Sequence, residues 1–123
     1  MIAADTSAWI DFFKGLETTE SARLETSLGA GTLVMPLPVL FEVLSGPGLS
    51  RAAERLLTEL PALELKAGYW QRAGSLRRTI LKRGLKARSM DCLVAQTCID
   101  HSTALIASDQ DFRRFVRMGL RLA

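Results

Sequence analysis

The sequence is poor in the residues on which several enzyme classes depend. It holds one histidine and two cysteines in 123 residues, and aromatic residues make up only 7%. A single histidine cannot supply the two-histidine acid–base pair of a metal-independent ribonuclease within one chain. Cys92 and Cys98 lie six positions apart, which does not match the ligand spacing of a zinc site or a redox pair. We therefore expect two buried thiols in a reducing compartment, and His101 as a helix-end or surface residue.

No segment of the chain is a candidate membrane helix. The longest uncharged run, residues 26–41, is interrupted by two glycines and two prolines, and it falls short of the roughly 20 continuous apolar residues that a span needs. Asp5 and Asp11 stand where a signal peptide has its basic and apolar residues. We expect a cytoplasmic protein without a membrane partner, folded as a single domain over residues 1–123.

Charge is distributed unevenly along the chain. The net charge is +3, but residues 1–65 hold 4 basic and 9 acidic side chains, whereas residues 66–123 hold 12 basic and 4 acidic ones. An acidic region beside a basic region suits a site that binds cations and receives a polyanion, so nucleic acid is a candidate partner. Most aromatic residues have core spacing, and a base-stacking platform is not predicted. In the helix at 69–83, periodicity places Tyr69, Trp70 and Leu81 on the apolar face, with Arg78 and Lys82 on the other side.

Short apolar segments alternate with helical patterns. Strands are predicted at 1–4, 32–35, 63–65 and 104–107, with a last apolar stretch at 120–122. Helices are predicted at 8–13, 21–28, 39–44, 50–60, 69–83 and 89–100, with a short one from residue 109. This alternation is typical of a mainly parallel sheet covered on both faces, and it predicts a three-layer α/β/α sandwich.

Four acidic residues lie where the local pattern does not favour a charge. Asp5 and Asp109 each follow a predicted strand, and Glu42 interrupts an apolar helical segment. Asp91 falls on the apolar face of its helix, opposite the polar residues. Asp5, Asp91 and Asp109 each also have an ordinary structural interpretation, because carboxylates cap helices and favour the first helical turn.

The predicted fold brings these four positions together. Carboxyl ends of parallel strands meet at one edge of a sheet, where ligands bind. Clustered carboxylates without a counter-charge repel one another and raise each other's pKa values. Ligation by oxygen alone suits a hard cation, so Mg²⁺ is the expected cofactor and Mn²⁺ the alternative.

Four sequence blocks resemble those of the PIN-domain nucleases, and among them the VapC-type toxins of bacterial toxin–antitoxin pairs. The blocks are residues 5–7 (DTS), 36–46 (PLPVLFEVLSG), 91–95 (DCLVA) and 105–112 (LIASDQDF). Their order and spacing match over almost the whole chain. The resemblance implies a PIN-like fold and a Mg²⁺- or Mn²⁺-dependent endoribonuclease in which water attacks the phosphodiester, leaving 5′-phosphate and 3′-hydroxyl ends.

The resemblance also assigns roles to residues. Its acidic metal-site and catalytic positions correspond to Asp5, Glu42, Asp91 and Asp109. Its accessory positions correspond to Thr6, Ser108 and Asp111.

Partners are expected from the same resemblance and from the basic residues. The implied substrate is structured RNA, such as a tRNA or an rRNA loop, and the implied regulator is a VapB-type antitoxin. A homodimer is also implied, with Trp9, Phe12 and Phe13 as candidate contact residues. Basic residues near the carboxylates are the candidate phosphate contacts: Lys86, Arg88, Arg113 and Arg114.

Three alternatives remain at the level of sequence. A phosphorylated receiver domain shares the length and the α/β order, but the predicted third strand, residues 63–65, lacks the aspartate that accepts the phosphoryl group. A PIN domain that only binds RNA or protein conflicts with the four acidic residues being present. A PIN nuclease of RNA processing, without a toxin role, differs from a toxin by lacking an adjacent antitoxin gene.

Overall fold

A computed structural model describes all 123 residues. Its strands are β1 (Ile2–Ala4), β2 (Met35–Pro36), β3 (Ala62–Leu63) and β4 (Ala104–Ile106). Its helices are α1 (Thr6–Phe13), α2 (Thr19–Gly29), α3 (Leu37–Leu44), α4 (Arg51–Glu59), α5 (Tyr69–Lys82) and α6 (Ser89–Asp100), and a 3₁₀ helix follows at Gln110–Met118. None of these helices has the length and apolar character required to cross a bilayer.

The strands form a parallel arrangement with β1 at its centre. β1 pairs with β4 on one side, in the register Ile2 to Ala104, and a parallel bridge from Ile2 to Leu33 leads to the β2–β3 pair on the other. A further bridge adds Leu122 beside β4. The resulting order, β3–β2–β1–β4 and then the Leu122 segment, differs from the 2-1-3-4-5 order of receiver domains. The three-layer α/β/α sandwich is confirmed, and the receiver interpretation is wrong.

One hydrophobic core joins the sheet to the helices. β1 and β4 contribute small or branched residues that are fully buried, as expected for strands covered on both faces. Trp9, Leu24 and Phe115 come from three different helices and belong to the same cluster of buried residues. Their burial removes large apolar surfaces from water, which is the main stabilising contribution to a fold of this size.

Most helix starts follow the capping residues visible in the sequence. The Asp5 and Ser50 side chains accept hydrogen bonds from the first turns of α1 and α4. Thr18 and Ser21 form a capping box that starts α2 two residues earlier than predicted. These caps satisfy backbone donors that have no partner within the helix.

The region around Pro36 differs from its prediction. The expected strand at 32–35 is observed as a bridge at Leu33 followed by β2 at Met35–Pro36, and α3 begins at Leu37 rather than at Val39. Pro36 is the N-cap of α3 and Pro38 lies in its first turn. Proline fits both positions, because residues there need no intrahelical N–H bond. The prediction that the prolines separate the strand from the helix by several residues was therefore wrong.

Exposure corrects three further expectations. Trp70 and Leu81, placed by periodicity on the apolar face of their helix, are 64% and 46% exposed. Gln96 and Thr97, assigned to the polar side of α6, are buried. Trp9 is fully buried, so it cannot take part in a partner surface, whereas Phe12 and Phe13 are half-buried.

Candidate active site

A small cavity lies where β1 and β4 end. Its volume is about 110 Å³. The four predicted carboxylates line it together with five other residues: Asp5, Glu42, Asp91 and Asp109, with Thr6, Ser7, Arg88, Val94 and Phe112. The chain thus brings residues from four separate segments to one edge of the sheet, as the strand order requires.

Asp5 is held in place by backbone donors. One carboxylate oxygen accepts the amide N–H of Ala8 at 2.7 Å, and the other accepts those of Ser108 at 3.0 Å and Asp109 at 3.3 Å. The residue is 2% exposed. Burial raises the pKa of Asp5 from 3.8 to about 6, although the three N–H bonds oppose that rise and the nearby Asp109 charge adds to it. Helix capping and a place in the site are therefore compatible roles for this residue.

Glu42 projects from the middle of α3 and is fixed by Thr6. The Thr6 hydroxyl donates to Glu42 Oε1 at 2.7 Å, a bond that connects the first turn of α1 to α3. The same helix buries Val39 and Val43 in the hydrophobic core. Core packing and the threonine bond together orient the Glu42 carboxylate toward the cavity.

Asp91, Asp109 and Asp111 form the most compact group of carboxylates. One oxygen from each lies within 4.8 Å of the others, and all three residues are half-buried. The Asp109 side chain caps the 3₁₀ helix by accepting the amide N–H of Asp111 at 2.9 Å. Asp111 was predicted only as an accessory residue, but the geometry places it beside Asp91 and Asp109, while Asp5 and Glu42 lie outside this group.

Asp91 lies in an environment that disfavours its negative charge. The pKa of Asp91 is raised from 3.8 to about 6, mainly by burial and also by the charges of Asp109, Glu42 and Asp111, while Arg88 opposes the rise. Mutual repulsion of this kind is relieved by a cation between the carboxylates.

The donor set fits a hard divalent cation. The side chains of the cavity wall that could bind a metal all offer carboxylate or hydroxyl oxygens, because Arg88, Val94 and Phe112 supply no ligand and the two cysteines are buried elsewhere as free thiols. Mg²⁺ and Mn²⁺ prefer such ligands, whereas zinc sites use histidine or cysteine. Asp91, Asp109 and Asp111 are close enough together to hold one ion, and Asp5 and Glu42 line the cavity with Asp91 and Asp109.

The predicted basic residues have different surroundings. Arg88 lines the cavity, while Lys86 and Arg113 are exposed. Arg114 is engaged within the protein, because it donates to the Lys86 carbonyl oxygen at 2.6 Å and pairs with Asp111 at 3.3 Å. Its role in this structure is to fix the loop between α5 and α6 against the 3₁₀ helix.

Some residues of the site were not predicted. Val94 and Phe112 form apolar parts of the cavity wall, and both belong to the sequence blocks that carry the resemblance. Ser7 also belongs to such a block, but no local pattern distinguishes it from a solvent-exposed helix residue. The Ser108 hydroxyl is buried without a hydrogen-bond partner at the base of the site.

A family model for the PIN domain matches residues 2–118. The chain belongs to the PIN-domain family. Two curated relatives, VapC ribonuclease Mb1587 of Mycobacterium bovis and ribonuclease VapC11 of Mycobacterium tuberculosis, are each 30% identical to it. Each alignment covers 96% of this chain and 93% of the relative, so the resemblance to VapC-type PIN domains is confirmed.

Solved structures of PIN-domain proteins share the fold. VapBC2 from Rickettsia felis, bound to a DNA fragment from the promoter, matches with a TM-score of 0.76 at 22% identity. DNA-bound VapBC from Salmonella typhimurium matches with a TM-score of 0.70 at 18% identity. Each match covers 100% of this chain and 98% of the other.

Proposed function

We propose that this PIN domain is the toxin of a VapBC-type pair and cleaves structured RNA, such as a tRNA or an rRNA loop, in the cytoplasm. The observation that carries the proposal is the group of Asp91, Asp109 and Asp111 oxygens within 4.8 Å of one another, beside Asp5 and Glu42. The ribonuclease names of the curated relatives support the same reaction class.

The proposed reaction is phosphodiester hydrolysis with Mg²⁺ or Mn²⁺ as cofactor. A divalent cation bound by these carboxylates would lower the pKa of the attacking water and stabilise charge on the phosphoryl oxygens. Asp91, with a pKa of about 6, is mostly ionised at neutral pH and can act as a ligand or accept a proton. Arg88, at the cavity wall, is positioned to bind a phosphate oxygen.

The rigid surroundings of the carboxylates favour catalysis. Backbone N–H groups orient Asp5, and the Thr6 hydroxyl orients Glu42. Groups that are already oriented need no reorganisation when charge develops in the transition state. Asp5, Glu42, Asp91 and Asp109 are therefore the proposed catalytic and metal-binding set, with Asp111 as a further ligand and Ser108 as an accessory residue.

A VapB-type antitoxin is the proposed regulatory partner. An apolar groove of about 270 Å³ opens beside Glu42, and Ile10, Phe13, Val43 and Leu49 contribute to its wall. The two structural neighbours are VapBC2 and VapBC, each bound to DNA. An apolar antitoxin segment in this groove would lie next to the carboxylates and block RNA. We also propose a homodimer, which sedimentation of the purified protein tests.

The test of the function compares RNA ends from cells that briefly express the wild type or Asp91→Asn. The wild type is expected to generate new 5′-phosphate ends at few positions in tRNA or rRNA, and Asp91→Asn none. Asp11→Asn is the matched control, since Asp11 is also half-buried but lies on α1 outside the cavity. Cleavage that persists in Asp91→Asn, or in the purified wild type with chelator, would contradict the metal-site proposal.

A second experiment separates a toxin from a PIN nuclease of RNA processing. Growth arrest by the wild type is expected to be relieved when the product of the gene upstream is co-expressed. Ile10, 40% exposed in the wall of the apolar groove, gives a variant for this assay, because Ile10→Ala should weaken the relief without loss of RNA cleavage. Cleavage without growth arrest would favour the RNA-processing role, and RNA binding without cleavage would favour an inactive binding domain.

A further inference from the structure

The outer face of α5 carries an unusual stripe of exposed residues. We call it the α5 stripe, and it consists of Trp70, Gly74, Arg78, Leu81, Lys82 and Leu85. A shallow groove of about 410 Å³ runs along it beside Gly74 and Leu81. The core face of the same helix is elsewhere, formed by Tyr69, Ala73, Leu76 and Ile80. The stripe is therefore not needed to hold α5 on the protein.

Two features of the stripe are not explained by the packing of this chain, although the Trp70 ring contacts Tyr69 edge to face at 5.1 Å between centroids. Trp70 leaves 64% of its surface in water, although its apolar area would favour burial. Gly74 lies in the interior of the helix, where glycine is less stable than alanine, and a Cβ atom there would meet no atom within 4 Å. An exposed aromatic ring next to open backbone is suited to a ligand that approaches closely.

The charge of this region is entirely positive. Residues 66–88 hold eight lysines and arginines and no aspartate or glutamate. Arg72 is paired with Asp100, and Arg77 donates to the Ala87 carbonyl oxygen at 2.9 Å. Arg78 and Lys82 take part in neither of the two ion pairs of the molecule and are exposed, so both remain available to an anionic partner.

The stripe leads directly to the carboxylate cavity. The loop after α5 is fixed at two points, by Arg77 at Ala87 and by Arg114 at Lys86. The next residue, Arg88, lines the cavity. A polyanion lying along α5, which is about 21 Å long, would therefore continue over this loop toward the cavity.

We propose that the α5 stripe binds the substrate RNA outside the cleaved phosphodiester, with Arg78 and Lys82 on phosphates and Trp70 stacked on a base. The inference rests on the proposed nuclease function. Charge favours RNA over a second copy of the chain, because two α5 stripes facing each other would bring together only like charges. Phosphate contacts and base stacking are the two general means of holding RNA without reading its sequence.

A binding titration tests the stripe independently of cleavage. Unfractionated tRNA is added to the Asp91→Asn protein, and Trp70 fluorescence reports binding, with Trp70→Phe identifying its contribution over the buried Trp9. Arg78→Ala with Lys82→Ala is expected to weaken binding about tenfold and to reduce the slope of log K against log salt by about 1.4 to 1.8, the value for two phosphate contacts.

Arg51 and Arg55 provide the matched control. They have the same spacing on α4, are exposed, and lie in the other half of the chain. Arg51→Ala with Arg55→Ala is expected to leave the affinity and the salt slope unchanged. Equal weakening by both double variants, or no weakening by the α5 variant, would overturn the inference.

Kinetics distinguish a failure of the inference from a failure of the proposed function. In the otherwise wild-type protein, the α5 double variant should raise KM for tRNA and leave kcat within twofold. Cleavage of a five-nucleotide RNA spanning the mapped site should be unaffected. An unchanged KM for tRNA with normal cleavage would overturn only the inference. If the wild type cleaves no RNA, the proposed function fails while the titration still decides whether the stripe binds RNA.

Acrylamide quenching identifies the competing occupant. Trp70 should be fully accessible to acrylamide in the free protein and protected once tRNA is bound. A different result would be Trp70 protected from acrylamide in the free protein at high concentration, and accessible at dilutions where sedimentation shows monomers. That result would assign the stripe to an interface between copies and would overturn the RNA proposal.

Discussion

Asp5 and Asp91 are the two carboxyl groups with the most strongly raised pKa values, and both connect the site to stability. Each shifts from 3.8 to about 6, with burial as the main cause. At pH values between 3.8 and about 6, the folded protein binds more protons at these two residues than the unfolded chain does. The free energy of unfolding therefore decreases as pH rises from about 4 to 6, and remains low above pH 6 without a cation.

Asp91→Asn removes one of these unfavourable charges. In chelator at pH 7.5 the variant should be about 1 kcal/mol more stable than the wild type. This gain is smaller than the free energy that corresponds to a shift of two pKa units, because Asp91 is only half-buried and solvent screens its charge. The gain should vanish at pH 4, where the wild-type carboxyl is protonated when folded. Urea unfolding at the two pH values measures both quantities.

Asp100 is a control with the opposite sign on the same helix. Arg72 donates to it at 2.6 and 2.9 Å, which lowers the pKa of Asp100. Asp100→Asn should therefore destabilise the protein at pH 7.5, and the wild-type contribution of Asp100 should be lost as pH falls below 3.8. A stabilising Asp100→Asn or a destabilising Asp91→Asn would contradict this account.

The hydrogen bond from Thr6 to Glu42 leads to a prediction about how the Glu42 carboxylate is positioned. Thr6→Val keeps the size of the side chain but removes the hydroxyl that orients Glu42. We expect kcat for RNA cleavage to decrease about tenfold, equivalent to about 1.4 kcal/mol, a typical value for one hydrogen bond to a charged group. Thr6→Ser should retain most activity. Equal loss in both variants would show that the methyl group, not the hydroxyl, is important.

At the residue scale, sequence predicts charges in unfavourable places but not their partners. Asp91 is detectable because helical periodicity assigns it to an apolar face. Asp111 is not, since it follows Asp109 by two residues and looks like an ordinary helix-start carboxylate. The donors to Asp5 from Ser108 and Asp109 lie 103 and 104 positions away, and no local pattern records such a separation.

Among the elements, the pair α5 and α6 depends on a buried polar contact. The Tyr69 hydroxyl donates to the Leu93 carbonyl oxygen at 2.6 Å and accepts the Thr97 hydroxyl at 3.2 Å. This contact explains why Thr97 is buried although its sequence position is polar. A buried hydroxyl without these bonds would be costly, so the two helices must keep their register.

Tyr69→Phe tests this contact. It should reduce the free energy of unfolding by about 1 kcal/mol, because the Tyr69–Leu93 bond between α5 and α6 is lost, whereas the Thr97 hydroxyl keeps its bond to the Leu93 carbonyl oxygen at 2.8 Å. The neighbouring exposed residue is the control, and Trp70→Phe should change stability by less than about 0.5 kcal/mol. Urea unfolding with intact secondary structure measures both. Similar losses in the two variants would contradict the assignment.

The sequence predicts where helices occur better than it predicts which face of each helix is buried. All seven helical segments were expected, and α6 has the predicted bounds. The apolar arc of α5 was assigned too wide, because Trp70 and Leu81 share its periodicity while no other element covers them. Tertiary packing decides which side of a helix is covered, and periodicity alone cannot separate a core residue from one that meets a partner.

At the scale of the whole molecule, we expect a divalent cation bound at the carboxylates to raise the free energy of unfolding. A cation held by Asp91, Asp109 and Asp111 would offset their mutual repulsion and the nearby charges of Asp5 and Glu42. At ten times its dissociation constant, Mg²⁺ should stabilise the wild type by about 1.4 kcal/mol. Asp91→Asn should respond much less. NaCl of equal ionic strength controls for screening, and an equal response to both salts would contradict a specific site.

The single core makes a prediction about cooperativity. Because one cluster of buried residues includes strands and helices from both halves, we propose that residues 1–123 form one domain and unfold in one transition. Tyrosine and tryptophan fluorescence and circular dichroism should give coincident urea curves. Separate transitions for the two halves would contradict this expectation.

The bonds from Ser108 and Asp109 to Asp5 also determine when the site can exist during synthesis. A nascent chain that has emerged only as far as Ser102 has β1 without β4, and Asp5 with one backbone donor instead of three. Contacts between distant chain positions form late, since the intervening loop must close first. If the protein cleaves RNA as proposed, its activity appears only after the last fifth of the chain has left the ribosome, so the ribosome that makes it is protected until translation of this domain is complete.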